Sequence, residues 1–283
     1  MASKDTINYI NYSKYPIDQF ENDVDGKYNY LLQNSIKQMN RDGFVSLPSF
    51  LLSDAVDKLT SCILKLEEDG VGFYSTDSHN VFLDADDQSD AMSPLHPRRI
   101  QLDSSKLIIN ASDLLLAKEA QAPNLDELFM SQRSVLNFIS SVMQTKLYPS
   151  TDPYGKFYAN IFREGDGLNY HFDQSEYSIS LILQPSEEGG EFQFLPSSRT
   201  IVEGWDEMIL DIDDIAEAVA PHSLEMKRPK LAAGDLYLFR GQNSLHRVSE
   251  ITKGKRINII LTFNTEPDVR LNQYTLQKFF GVI

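Results

Sequence analysis

Apolar residues at Tyr28, Leu31, Leu32, Ile36 and Met39 recur near the helical period and predict a helix over residues 28–40. A short strand follows at residues 43–48. Ser53 stands where a cap belongs, before a second helix over residues 55–68 that Asp69-Gly70 ends. Residues 75–105 are rich in Asp and Ser, contain Pro94 and Pro97, and show no period. A stretch of that kind reads as a lid-like loop. Pro123-Asn124-Leu125 opens a third helix over residues 125–146, whose stripe of Leu128, Val135, Phe138, Ile139, Val142 and Met143 suits a buttress for a sheet.

From about residue 150 the period changes to two. Strand patterns occupy residues 157–162, 178–183, 191–194, 236–240 and 256–263, with turns at Gly165-Asp166-Gly167, Gly189-Gly190 and Gly234-Asp235. Short strands separated by glycine turns predict a sandwich or barrel. The expected fold class is therefore mainly β with flanking helices. The expected organisation is an N-terminal arm at 1–22, a helical and strand support region at 23–149, and a β core at 150–283. The last two form one continuous domain. Residues 205–222 are acidic and read as an insertion between core strands. No internal repeat is visible.

Composition narrows the class of partner. The chain has 283 residues, 41% of them apolar, enough for a sizeable core. A net charge of −15 argues against a nucleic-acid partner, which needs clustered Lys and Arg. Cys62 is the only cysteine, so no intramolecular disulfide forms. No run of eighteen apolar residues and no apolar leader occurs, so the expectation is a cytoplasmic protein without a membrane partner.

The chemistry concentrates at His171-Phe172-Asp173, His246 and Arg256. Residues two apart on a strand share a face, which puts His171 and Asp173 together. Two histidines and a carboxylate are the ligand set of the facial triad that holds Fe(II) and leaves positions open for oxygen and a co-substrate. Arg256 offers a fixed fork of donors for a carboxylate. A metal beside a carboxylate clamp points to an oxygenase that uses 2-oxoglutarate. His-x-Asp alone is common and usually lies on a surface; its place at a strand edge gives it weight here. His79, His96 and His222 have no partner at ligand spacing. His222 suits a surface, and His96, before Pro97, suits a site entrance.

Two segments resemble a known family. FREGDGLNYHFDQSEYSISLILQPSEEGGEFQFLP (162–196) and LFRGQNSLHRVSEITKGKRINIILTFN (238–264) are similar to the Fe(II)/2-oxoglutarate oxygenases grouped with the HalD/BesD amino-acid halogenases and hydroxylases. Weaker likeness lies at His96-Pro97-Arg98-Arg99 and Phe279-Phe280-Gly281, so the resemblance covers about residues 90–283. It implies a double-stranded β-helix, a jelly-roll of the cupin type. It also implies His171, Asp173 and His246 as iron ligands, Arg256 on the distal carboxylate of 2-oxoglutarate, and Tyr158 and Asn160 as further cofactor contacts.

The halogenases of this group carry a small residue where Asp173 stands, and that vacancy admits a halide. A carboxylate there disfavours halogenation. The resemblance thus implies Fe(II), 2-oxoglutarate and O2 as cofactors. The expected reaction is oxidation of an unactivated C–H bond in a small amino-acid-like or carboxylate-bearing molecule, in natural-product biosynthesis. Hydroxylation leads, and oxidative ring closure or desaturation, as in kainoid synthases, is the alternative. A non-catalytic cupin-like binding protein is the rival from another class. Arg98, Arg99, Arg163, Arg199, Arg240 and Asn264 are the candidates for holding the substrate.

Overall fold

The computed structural model describes residues 9–84, 98–117, 122–175, 177–202, 205–207 and 226–282. The period-two runs form β5 (Phe157–Phe162), β6 (Leu168–His171), β7 (Tyr177–Gln184), β9 (Phe192–Leu195), β12 (Leu236–Phe239), β13 (Leu245–Val248) and β15 (Arg256–Asn264). Earlier in the chain lie β1 (Phe44–Leu47), β2 (Phe73–His79), β3 (Leu102–Ile109) and β4 (Tyr148–Pro149). Minor strands are β8 (Glu188–Gly189), β10 (Thr200–Val202), β11 (Trp205–Glu207) and β14 (Ile251–Lys253). The main sheet is antiparallel with strand order β1-β12-β7-β15-β5-β3-β2, and β4 adds to β15. A second sheet, β6-β13-β9, lies across a cavity from it.

The two faces of the main sheet diverge because side chains alternate along each strand. One face presents Leu236 and Leu238, Ile179, Leu181 and Leu183, Ile257, Ile259, Leu261 and Phe263, Phe157, Ala159 and Ile161, and Leu107 and Ile109. These pack against α1 (Lys27–Asp42), α2 (Ser53–Glu68) and α4 (Arg133–Met143) in one core cluster. Each such side chain, fully buried, contributes about 1.5–3 kcal/mol. The intervening residues face the cavity instead. The support region therefore supplies both the helices that cover the sheet and four of its strands.

Several sequence expectations shift. The 75–105 stretch, expected as a loop, starts and ends in strand: β2 and β3 pair from Phe73↔Ile108 to His79↔Leu102. The Ser and Asp residues hid this pairing because β2 is an edge strand held by main-chain bonds. Residues 85–97, including His96, lie outside the described residues, as do most of the 205–222 insertion and His222. Of the expected arm, residues 9–22 are docked. Ile10 pairs with Leu51, and Ile10, Tyr15 and Ile17 are buried in the core. Ser53 is the first helical residue rather than the cap; Leu52 precedes it and no side chain caps the turn. The expected third helix is broken. A wide turn over Asp126–Met130, with Ser131 N–H bonded to the Asp126 carbonyl, precedes α4 across an extended Gln132. Two further short helices are α3 (Ala111–Leu116), and α5 (Gln273–Phe280), which closes one side of the cavity with Thr275, Phe279 and Phe280.

Candidate metal centre

His171 ends β6, and His246 sits directly opposite it on β13. Though 75 positions apart in sequence, they form one cross-strand pair. Their ring centroids are 4.1 Å apart. Asp173 lies just past β6, where its N–H bonds to the Gly241 carbonyl at 3.1 Å. Its Oδ1 is 3.5 Å from His171 Nε2 and 3.3 Å from His246 Nε2. Only glycine fits at 241, since a Cβ there would lie 2.0 Å from Asp173 Oδ2. The three side chains form a group whose ligand atoms all lie within 4.8 Å of one another.

The protonation pattern shows what belongs among them. His171 Nδ1 lies 2.8 Å from the Asn169 carbonyl, and His246 Nδ1 lies 2.8 Å from the Ser244 carbonyl. A carbonyl only accepts, so both rings carry their proton on Nδ1 and turn an Nε2 lone pair inward. Burial pushes His171 down to about 3, with His246 adding to the effect. Two lone pairs and a carboxylate thus converge with no donor between them. A divalent cation satisfies that arrangement, and the carbonyls that fix each ring act as outer supports.

Arg256 begins β15 and is buried. Its Nη1 donates to Asn258 Oδ1 at 2.7 Å, and it also bonds the Tyr237 hydroxyl. Burial lowers its pKa. No carboxylate pairs with it among the described residues, so a buried guanidinium awaits an anion. Asn258 and Tyr237 line the same cavity as the triad. The donor set fits a divalent metal with a dicarboxylate beside it.

The cavity has an empty volume of about 840 Å³ counting its mouth. Tyr158 and Asn160 line it from β5. Burial pushes the Tyr158 hydroxyl far up, so it stays protonated. None of the five candidate arginines lines the cavity. Arg98 pairs with Asp84 and lies over Phe82, while Arg199 lies over Phe82 and Phe172 behind the second sheet. Arg163 pairs with Glu67 at 3.0 Å. Arg99 and Arg240 sit outside the lining, as does Asn264, which pairs with Tyr148 at the end of β15. Arg247, next to His246, points the other way, to Gln193 Oε1 at 2.8 Å. His79 is a buried, satisfied histidine between Asn80 and Ser104, held down at about 4 by burial. The cation that does line the cavity is Lys106. Its signal was one lysine beside the apolar Leu107-Ile108-Ile109, at the end of the expected loop.

Comparison with known proteins agrees with this geometry. Solved structures share the fold at low identity. AviO1 from Streptomyces viridochromogenes Tue57 is 13% identical, with 82% of this chain and 94% of that one covered at a TM-score of 0.52. The α-ketoglutarate-dependent epimerase SnoN of nogalamycin biosynthesis is 12% identical over 83% and 81%, at 0.52. The carbocyclase SnoK of the same biosynthesis is 12% identical over 82% and 83%, at 0.51. No curated protein matches the sequence. The HalD (Halogenase D) family profile matches residues 115–279, which hold the second sheet, the main-sheet strands β4, β5, β7, β12 and β15, the triad and Arg256. The chain belongs to the halogenase D family and is an Fe(II)/2-oxoglutarate-dependent oxygenase.

Proposed function

We propose that this oxygenase oxidises a C–H bond of a small amino-acid-like or carboxylate-bearing molecule, with hydroxylation as the reaction. His171, Asp173 and His246 would hold the iron, and Arg256, steadied by Tyr237 and Asn258, would hold the distal carboxylate of 2-oxoglutarate. Bound iron would supply oxygen activation coupled to decarboxylation of 2-oxoglutarate to succinate. The protein's own part is positioning. Backbone carbonyls fix both imidazoles through Nδ1 and turn each Nε2 inward. The apolar lining residues Ile108, Phe162, Phe192 and Phe239 keep bulk water from the reacting carbon.

One observation carries the reading: three electron-rich ligand atoms meet at one cavity, and the Arg256 guanidinium, with no carboxylate partner among the described residues, bonds Asn258, which lines that cavity. Asp173 supports oxygenation over halogenation within this family, because its carboxylate takes the position a halide would need. The concave, largely apolar cavity supports a small molecule as substrate. Membership in natural-product biosynthesis rests on the sequence resemblance.

Two measurements test the reading. Anaerobic equilibrium dialysis should find one Fe(II) and one 2-oxoglutarate per chain, with both lost in His171→Ala. Mass spectrometry of turnovers in chloride and bromide should find only oxygenated, desaturated or cyclised products. A halogenated product from the unmutated enzyme would remove Asp173 from the iron and overturn the assignment.

A further inference from the structure

Lys106 lies on β3 and is only 4% exposed. It lines the metal-centre cavity. Its ammonium packs over the Phe279 ring, 5.1 Å from the centroid, and has no hydrogen bond or ion pair among the described residues. A buried cation of this kind is costly unless something answers it. Asp173 is the nearest opposite charge that acts on it, yet Asp173 is committed to the two imidazoles.

Register places Lys106 relative to the clamp. Ile108 pairs with Asn160, and Leu107 with Ile161, so Lys106 stands level with Phe162. Phe162 pairs on its other side with Arg256. Two strand spacings therefore separate the two cations, about 10 Å along one row. The Phe162 ring stands between them, 5.6 Å from the Arg256 guanidinium. Two cations so divided make two separate anion positions.

The groups around Lys106 are also unanswered. Thr275 Oγ1 and Asn160 Oδ1 are buried, line the same cavity and have no hydrogen-bond partner. Thr275 and Phe279 share a face of α5, one turn apart, so the hydroxyl rises beside the ring that Lys106 covers. Asn160 lies one strand over. Ammonium and hydroxyl donate to a carboxylate, and the Asn160 oxygen accepts from an adjacent N–H or O–H.

We propose that Lys106, with Thr275, anchors the carboxylate of the substrate, and that Asn160 accepts a hydrogen bond from its neighbouring amino, amide or hydroxyl group. The proposal rests on the oxygenase reading above and names its substrate class, an α-amino or α-hydroxy carboxylate. Arg256 is left to the co-substrate. Lys106 is a binding residue that fixes which carbon faces the metal.

The test uses full-length protein loaded with Mn(II) and 2-oxoglutarate, which binds without turning over. The probes are hexanoate and L-norleucine, each beside its primary amide, titrated calorimetrically into wild type, Lys106→Met and Lys106→Arg. Wild type should bind a carboxylate at least about tenfold more tightly than its amide, and Lys106→Met should lose that preference, the scale of a hydrogen-bonded charge. Lys106→Arg should keep it, and 2-oxoglutarate affinity should be unchanged in both variants. Melting temperatures confirm folding, with Lys106→Met as stable as wild type or more so. Absence of carboxylate binding to wild type, equal binding of amides, or undiminished preference in Lys106→Met would overturn the proposal. Lost 2-oxoglutarate affinity in Lys106→Met would overturn it too, by giving Lys106 to the co-substrate, and would leave the oxygenase reading standing. Wild type that takes up neither Mn(II) nor 2-oxoglutarate would overturn both.

Discussion

On β15, Ile257, Ile259, Leu261 and Phe263 face the helices, while Asn258, Ile260 and Thr262 face the cavity. The same alternation runs through β12, β7, β5 and β3. The helix side is fully buried and apolar, and its contacts are complete within the chain. The cavity side gathers Lys106, Tyr158, Asn160 and Asn258, with Arg256 at the strand's start, and leaves several polar atoms unanswered. One face is built for stability and the other for something outside the chain. Substitutions on the two faces should therefore fail differently: helix-side losses should lower stability, and cavity-side losses should lower function with little or no loss of fold.

The largest effect is expected at the triad. His171→Ala and His246→Ala each remove an imidazole whose outer hydrogen bond alone is worth 10–100-fold. Loss of the ligand itself should exceed about 100-fold in iron affinity and abolish succinate release. Near-normal iron-dependent succinate formation by either variant would end the assignment. Melting should change little, because neither imidazole belongs to the helix-side core cluster.

Arg256 comes next. Arg256→Ala removes a buried partner for a carboxylate and should raise the 2-oxoglutarate requirement about 100-fold, with iron binding intact. Arg256→Lys keeps the charge but loses the fork, and should fall between. An unchanged requirement would transfer the clamp elsewhere. The structure makes Arg247 a poor substitute, because it bonds Gln193 behind the second sheet.

The two faces were unequally legible in sequence. The strands were visible because one side of each is strictly apolar, and burial enforces the period. The triad was visible because ligand chemistry allows few residue types, and His171 and Asp173 lie two apart. The β2–β3 hairpin was hidden because its outer strand is polar and held by main-chain bonds. Lys106 was hidden with it. A lysine before Leu107-Ile108-Ile109 looks like a strand-edge residue until register places it in the cavity. The arginine candidates failed for the opposite reason. Charge alone says nothing about direction, and Arg98, Arg163 and Arg199 find partners outside the site.

A helix-side change supplies the control. Phe138 on α4 is 1% exposed in the core cluster. Phe138→Ala should cost about 3–5 kcal/mol, read by denaturant melts. Residual folded protein should keep its iron and 2-oxoglutarate affinities. A variant that melts normally but loses iron would erase the division between the faces.

Lys106 gives the most diagnostic effect, because here a cavity-side substitution should stabilise. Burial, with a contribution from Arg256, lowers Lys106 to about 7, against an ordinary value of 10.5; Asp173 only partly opposes this. The unfolded chain then binds more protons than the folded one between pH 7 and 10.5. Stability due to this group rises with pH across that window, and the full penalty is present below pH 7. Lys106→Met removes the penalty, so the variant should exceed wild type by an amount on the order of 3 kcal/mol at pH 7. The gain should shrink steadily toward pH 10, where both chains hold an uncharged residue there. Paired urea melts at pH 6, 7, 8, 9 and 10 read it directly. A constant difference across those pH values would mean Lys106 is not a desolvated cation. A destabilised Lys106→Met would mean the ammonium is answered within the fold, and the cavity side would then be as self-sufficient as the helix side.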